Sequence, residues 1–168
     1  LKKLREKDST VDYVLQIAGD GPERPRLEAF ALQIGVADHV HFLGNVSRDK
    51  MTGFYAGLDV YAHSSDGENL SFALMEAARA GLPIVASKVK GVALLVSDGS
   101  TGLLVDAGDA EKFASAISEV GKTTKGSRMG RLAQVLIEDS YSSRNMLKGY
   151  TRMLCHVDPE GPWRRVGN

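Results

Sequence analysis

Short apolar runs alternating with amphipathic segments predict an α/β fold, a parallel sheet sandwiched by helices. Three observations carry this expectation. Residues 13–18, 40–44, 59–62, 84–87 and 102–105 are largely apolar and short enough to be strands. Apolar residues between them recur at helical spacing, as at Leu27, Phe30, Ala31 and Ile34. Turn residues punctuate the joints, as in Gly19-Asp20-Gly21-Pro22 and Gly81-Leu82-Pro83.

Taken in order, residues 13–18 read as a buried strand ending in the turn at residues 19–22. A helix follows from Glu23 and stops at Gly35. Residues 40–44 form the second strand, and Ser47 can cap a helix carrying Met51, Phe54 and Tyr55. Residues 59–62 form the third strand and lead into a polar loop, residues 63–67. The segment from Glu68 to Glu76 reads as a helix start, stopped by Gly81 and Pro83. Strands at 84–87 and 102–105 follow, and Asp109 can cap a helix reaching about Val120. Residues 121–127 read as a Gly/Ser/Thr/Lys-rich loop, with helices at 128–139 and 142–156. Residues 1–157 make one domain, and residues 158–168, with Pro159, Gly161 and Pro162, an irregular tail.

Composition narrows the function. The chain has 168 residues, with 21 Lys plus Arg against 21 Asp plus Glu, so its formal net charge is zero. That balance argues against nucleic acid as the main partner. No apolar run approaches the ~20 residues of a membrane span. The opening residues 1–7 are charged and unlike a signal peptide. Cys155 is the single cysteine, so neither an internal disulfide nor a cysteine metal cluster is expected. A cytoplasmic setting follows as the expectation. The basic stretch from Lys122 to Arg131 reads as a solvated loop, with peripheral contact at the inner membrane face as the other reading. His39 and His41 read as a plain strand pair rather than metal ligands, His63, at the start of the polar loop, as structural or incidental, and Cys155 as inert.

The candidate chemistry lies in Glu68-Asn69-Leu70-Ser71-Phe72-Ala73-Leu74-Met75-Glu76. Two carboxylates flank an expected helix N-terminus, whose unpaired N–H groups suit a phosphate. If all eight steps were helical, the two backbones would lie ~12 Å apart. A glycosidase acid pair needs its carboxylates at about 5–9.5 Å. The wider span suits a ligand with hydroxyl-bearing groups at both ends and a diphosphate between them, as in a nucleotide sugar. Parallel sheets bind ligands at the C-terminal ends of their strands, where residues 19–22, 44–46 and 63–71 are expected.

The order of these motifs resembles the C-terminal, donor-binding half of retaining glycosyltransferases with the two-domain GT-B fold, of the family-4 or "group 1" type. The resemblance spans roughly residues 13–120 and rests on Gly19-Asp20-Gly21-Pro22, Phe42-Leu43-Gly44, the Glu68–Glu76 pair, Gly81-Leu82-Pro83, Gly91 and Asp98-Gly99. It implies a Rossmann-like domain that binds a UDP-, GDP- or ADP-sugar, with a glycan or lipid acceptor held elsewhere. Glu68 would lie by the donor sugar as the catalytic-site acid. The amides of Leu70, Ser71 and Phe72 would cradle the diphosphate. Glu76 would bind the ribose, and Asn45 and Val46 would line the base pocket. Gly19, Gly21 and Ser65 would belong to the donor-site loops. The resemblance implies neither metal nor other cofactor.

The sequence also departs from that family. Asn69 and Ser71 stand where glycines are common around the phosphate, and Ala93 and Leu94 stand where a proline and a glutamate often follow Gly91. The opening strand with its basic diphosphate contacts, and the acceptor domain with its catalytic-site histidine, have no counterpart in these residues. The expectation is therefore an excised donor domain that binds weakly and turns nothing over by itself. A nucleotide-sugar epimerase half and a non-catalytic binding module are the alternatives.

Overall fold

The computed structural model describes residues 1–142 together with 144, 145, 147, 148 and 151. The expected helix at 142–156 and tail at 158–168, including Met153, Leu154, Cys155 and Trp163, lie wholly or largely outside the described residues. The elements in chain order are α1 (Lys2–Lys7), β1 (Leu15–Ala18), α2 (Arg24–Gln33), β2 (Val40–Gly44), α3 (Arg48–Ala56), β3 (Tyr61–His63), α4 (Phe72–Arg79), β4 (Ile84–Ser87), β5 (Leu103–Val105), α5 (Ala110–Val120) and α6 (Thr124–Ser140). A 3₁₀ turn, Ala37–His39, precedes β2.

All strand pairs are parallel, as expected, but they form two ladders rather than one sheet. β1 pairs with β2, Leu15 opposite Val40, and the register shifts between Ile17 and Ala18. β3, β4 and β5 form the second ladder, with Tyr61 opposite Ile84 and Val85 opposite Leu103. No ladder joins β2 to β3, so the connection through α3 leaves the first ladder instead of widening it.

β4 is the centre of the fold, and all four of its residues are buried. Alternation along a strand sends neighbouring side chains to opposite faces. Ile84 and Ala86 therefore pack with Leu74 and Ala78 of α4 and with Ala133 and Ile137 of α6. Val85 packs on the other side with Val105, Ala116, Val120 and Met129. β1 departs from the expectation of a buried strand: Leu15 and Gln16 are exposed, and Ile17 and Ala18 are half-buried. Its apolar composition is that of a two-sided strand, yet only β2 flanks it.

Residues 121–127 are not the loop their composition predicts. The helix begins at Thr124, capped by Thr123, whose hydroxyl accepts from the Gly126 amide at 3.0 Å. The glycines serve packing. A Cβ on Gly126 would sit 1.9 Å from the Val120 carbonyl oxygen, and one on Gly130 would sit 2.0 Å from that of Gly81. α6 thus lies against the end of α5 and the turn after α4 at a distance only glycine permits. The basic residues there are partnered: Lys122 pairs with Asp59 at 3.4 Å and Lys125 with Glu119.

Candidate functional site

Glu68 and Glu76 are placed by different devices. α4 starts at Phe72, four residues later than the expected start at Glu68. Ser71 is the cap. Its backbone is extended and its hydroxyl accepts from the Leu74 amide at 3.3 Å, which ends the loop there. Glu68, Asn69 and Leu70 are consequently non-helical, and the ~12 Å helical estimate for the acid pair does not apply. The amides of Phe72 and Ala73 stand at the first helical positions, where no intrahelical acceptor exists. Those of Leu70 and Ser71 precede them.

The loop carrying Glu68 is pinned from below. A Cβ on Gly91 would lie 2.0 Å from the Glu68 carbonyl oxygen and 2.4 Å from that of Asn69. Only a residue without a side chain lets this backbone pass. The start of the loop is tied to the sheet by the Ser65 amide, which donates to the Ser87 hydroxyl at 3.2 Å. The Ser65 hydroxyl closes the turn on the Gly67 carbonyl at 2.8 Å.

Glu76 is exposed, because α4 turns Leu74, Ala77 and Ala78 into the core. Its carboxylate is nonetheless held. The Tyr55 hydroxyl on α3 lies 3.1 Å from Glu76 Oε2 and donates to it. Tyr55 meets Tyr61 edge-on at 6.0 Å between ring centroids, and Tyr61 stacks on His63 at 6.1 Å. Burial, then the nearby carboxylates of Glu76 and Glu68, push the Tyr61 phenol up to about 12. Burial, then Tyr61 and Glu76, push Tyr55 up further. Both phenols therefore remain neutral, and Tyr55 keeps its proton to donate to Glu76. This row of three rings runs between the two acids, with Tyr55 on Glu76 and His63 beside Glu68, whose Oε2 lies 3.5 Å from His63 Nε2. Sequence reasoning missed the row. Tyr55 is 21 residues from Glu76, and no local pattern links them.

At the ends of β1 and β2 the structure brings Gly19 and Gly44 together, the Gly19 amide donating to the Gly44 carbonyl at 2.7 Å. The turn at Gly19 and Gly21 thus adjoins the segment of Asn45, which is exposed, and Val46, which is half-buried. Arg24 sits over this corner, 5.8 Å from the Phe42 ring centroid and 3.3 Å from Asp20. Phe72 and Leu94 are strongly exposed beside the candidate loops, 76% and 64%, so the position following Ala93 offers an apolar surface instead of a carboxylate. His39 and His41 do not alternate along one strand. His39 ends the 3₁₀ turn and its Nδ1 lies 3.0 Å from Arg5. Among the described residues no three His, Cys, Asp or Glu side chains cluster as metal ligands, and no helix is long and apolar enough to cross a membrane.

Comparison with known proteins identifies the family and the fold. The family profile described as "Glycosyl transferases group 1" matches residues 1–134. The lipopolysaccharide core biosynthesis glycosyltransferase LpsE of Rhizobium meliloti is 33% identical over 141 residues, covering 83% of this chain and 41% of that protein. The GDP-mannose-dependent alpha-(1-6)-phosphatidylinositol monomannoside mannosyltransferase of Mycobacterium tuberculosis is 35% identical over 113 residues, covering 63% and 29%. Among solved structures, Anabaena Alr3699/HepE in complex with UDP superposes with a TM-score of 0.78 at 25% identity, covering 85% of this chain and 41% of that one. The chain therefore spans less than half the length of these relatives. The superposition bears out the α/β fold class expected from the sequence. The chain belongs to the glycosyl transferases group 1 family.

Proposed function

We propose that this chain is the donor-binding part of a retaining hexosyltransferase, which passes a hexose from a nucleoside diphosphate sugar to a glycan or lipid acceptor. The observation that carries the proposal is the pair of acids on either side of a capped helix N-terminus, Glu76 with its carboxylate held by Tyr55 and Glu68 with its backbone fixed over Gly91. Glu76, steadied by Tyr55, can accept from both ribose hydroxyls. The amides of Phe72 and Ala73, with the α4 dipole behind them, can offset the diphosphate charge. Glu68 stands one loop away for the sugar, and Asn45 and Val46 border the corner that would take the base. In transfer the departing diphosphate gains charge, and preorganised donors at a helix end stabilise it without reorganising. HepE, solved with UDP and with UDP-glucose, and the GDP-mannose-dependent relative support a nucleotide-sugar donor. Nucleotide sugar as a soluble substrate fits the cytoplasmic setting expected from the sequence.

The exposed Leu94 and the Ser71 cap favour a second reading, a module that keeps the fold and binds without catalysing. Calorimetric titration of the chain with UDP, GDP and ADP, beside Glu76→Ala, tests the first. Selective binding of one nucleotide that the variant loses supports a donor site. Equal binding by both proteins sinks the role given to Glu76.

A further inference from the structure

His63 occupies a place that its structural role alone does not explain. It ends β3, stacks on Tyr61 with an interplanar angle of 25°, and its side chain is 15% exposed. Its Nε2 is buried and, among the described residues, is the one buried side-chain nitrogen or oxygen without a hydrogen-bond partner. An unpaired buried nitrogen is a liability that a phenylalanine of similar shape would avoid. The polar atom facing it is Glu68 Oε2, at 3.5 Å. An ordinary N–H···O bond is about 2.9–3.0 Å, so a movement of roughly half an ångström closes the gap. The Glu68 backbone is already fixed by Gly91, so side-chain torsion is the remaining freedom, and His63 faces it.

We propose that His63 is a positioning residue for Glu68: its Nε2–H donates to Oε2 and so aims the other carboxylate oxygen at a hydroxyl of the donor hexose. The inference rests on the donor-site reading above. His63 itself does not touch the sugar, because its Nε2 is shielded from solvent. It acts through Glu68, and its loss is felt by the hexose and not by the nucleotide. A ring that served only to fill space would give no such split.

Two variants separate these roles. His63→Phe keeps the stacking and removes the donor, while His63→Gln restores a donor without the ring. Each is titrated with UDP against UDP-glucose and with GDP against GDP-mannose. The hexose contribution, read as the ratio of the two affinities, falls about tenfold in His63→Phe and recovers in His63→Gln, with nucleoside diphosphate affinity unchanged. An unchanged ratio in His63→Phe, or an equal loss for nucleotide and nucleotide sugar, overturns the proposal. A second, ligand-free arm keeps the contact testable by itself. The unfolding constants of His63→Phe, Glu68→Gln and the double variant are expected to depart from additivity by about fivefold, and strict additivity overturns the pairing. If the unmodified chain binds no nucleotide, the donor reading fails, while the ligand-free cycle still decides whether His63 holds Glu68.

Discussion

Gly91→Ala is the change that most directly tests how the loop of Glu68 is held. The added methyl would meet the Glu68 carbonyl oxygen at 2.0 Å, the Glu68 carbonyl carbon at 2.5 Å and the Asn69 carbonyl oxygen at 2.4 Å. All three are backbone atoms, so no side chain can swing away. Reaching an ordinary contact of 3.4 Å moves the Glu68 carbonyl by about 1.4 Å. Forced overpacking of this kind costs about 1–3 kcal/mol, which urea denaturation resolves. The functional signature is more specific than the stability loss. Glu68 moves with its backbone, whereas Glu76 is on α4 and held by Tyr55, so nucleotide-sugar affinity falls while nucleoside diphosphate affinity is kept. Gly130→Ala is the control. Its methyl would strike the Gly81 carbonyl at 2.0 Å, which destabilises the packing of α6 without touching the loop. Wild-type stability and wild-type nucleotide-sugar binding in Gly91→Ala would refute the reasoning, as would equal functional loss in both variants.

Further outcomes follow from burial and charge. Leu74→Ala, at a fully buried position in the cluster around β4, loses about 2–5 kcal/mol in denaturant unfolding, while Leu94→Ala, largely exposed, stays within about 0.5 kcal/mol of the parent. The tyrosine row makes the fold alkali-sensitive. Both Tyr55 and Tyr61 are raised above the ordinary tyrosine value, chiefly by burial, so folding favours their neutral forms. That contribution is complete below about pH 10, the unfolded value, and is lost as pH rises towards about 12. Thermal unfolding followed across this window falls more steeply in the parent than in a Tyr55→Phe, Tyr61→Phe double variant, and parallel curves would contradict the assignment.

The elements most legible in the sequence are those fixed by local signals. Residues 84–87 form a strand with the expected bounds because a continuous apolar run between Pro83 and Lys88 leaves little choice. α5 starts where Asp109 predicts, its carboxylate accepting from the Lys112 amide at 2.9 Å. Elsewhere tertiary context decides. The start of α6 reads as loop because residues 121–127 are rich in Gly, Ser, Thr and Lys, yet close approach to Val120 is what selects Gly126 there. β1 reads as buried from its own composition, whereas its burial depends on what flanks it. At the site, the acid pair and the glycine beneath it are visible as motifs. The ring row of Tyr55, Tyr61 and His63 is not, since it joins α3 to β3, and reaches Glu76 of α4, only after folding.

The central claim is that a nucleoside diphosphate sits on the N-terminus of α4 between the two acids. Amide chemical-shift mapping of the ¹⁵N-labelled chain during titration with UDP, GDP and ADP tests it most directly. The account predicts that one nucleotide shifts the amides of residues 71–74 and 45–46 together. A cavity of about 390 Å³ is lined instead by Gly99, Ser100, Lys125, Arg128, Met129 and Leu132. Shifts confined to that cavity, with residues 71–74 silent, would contradict the account.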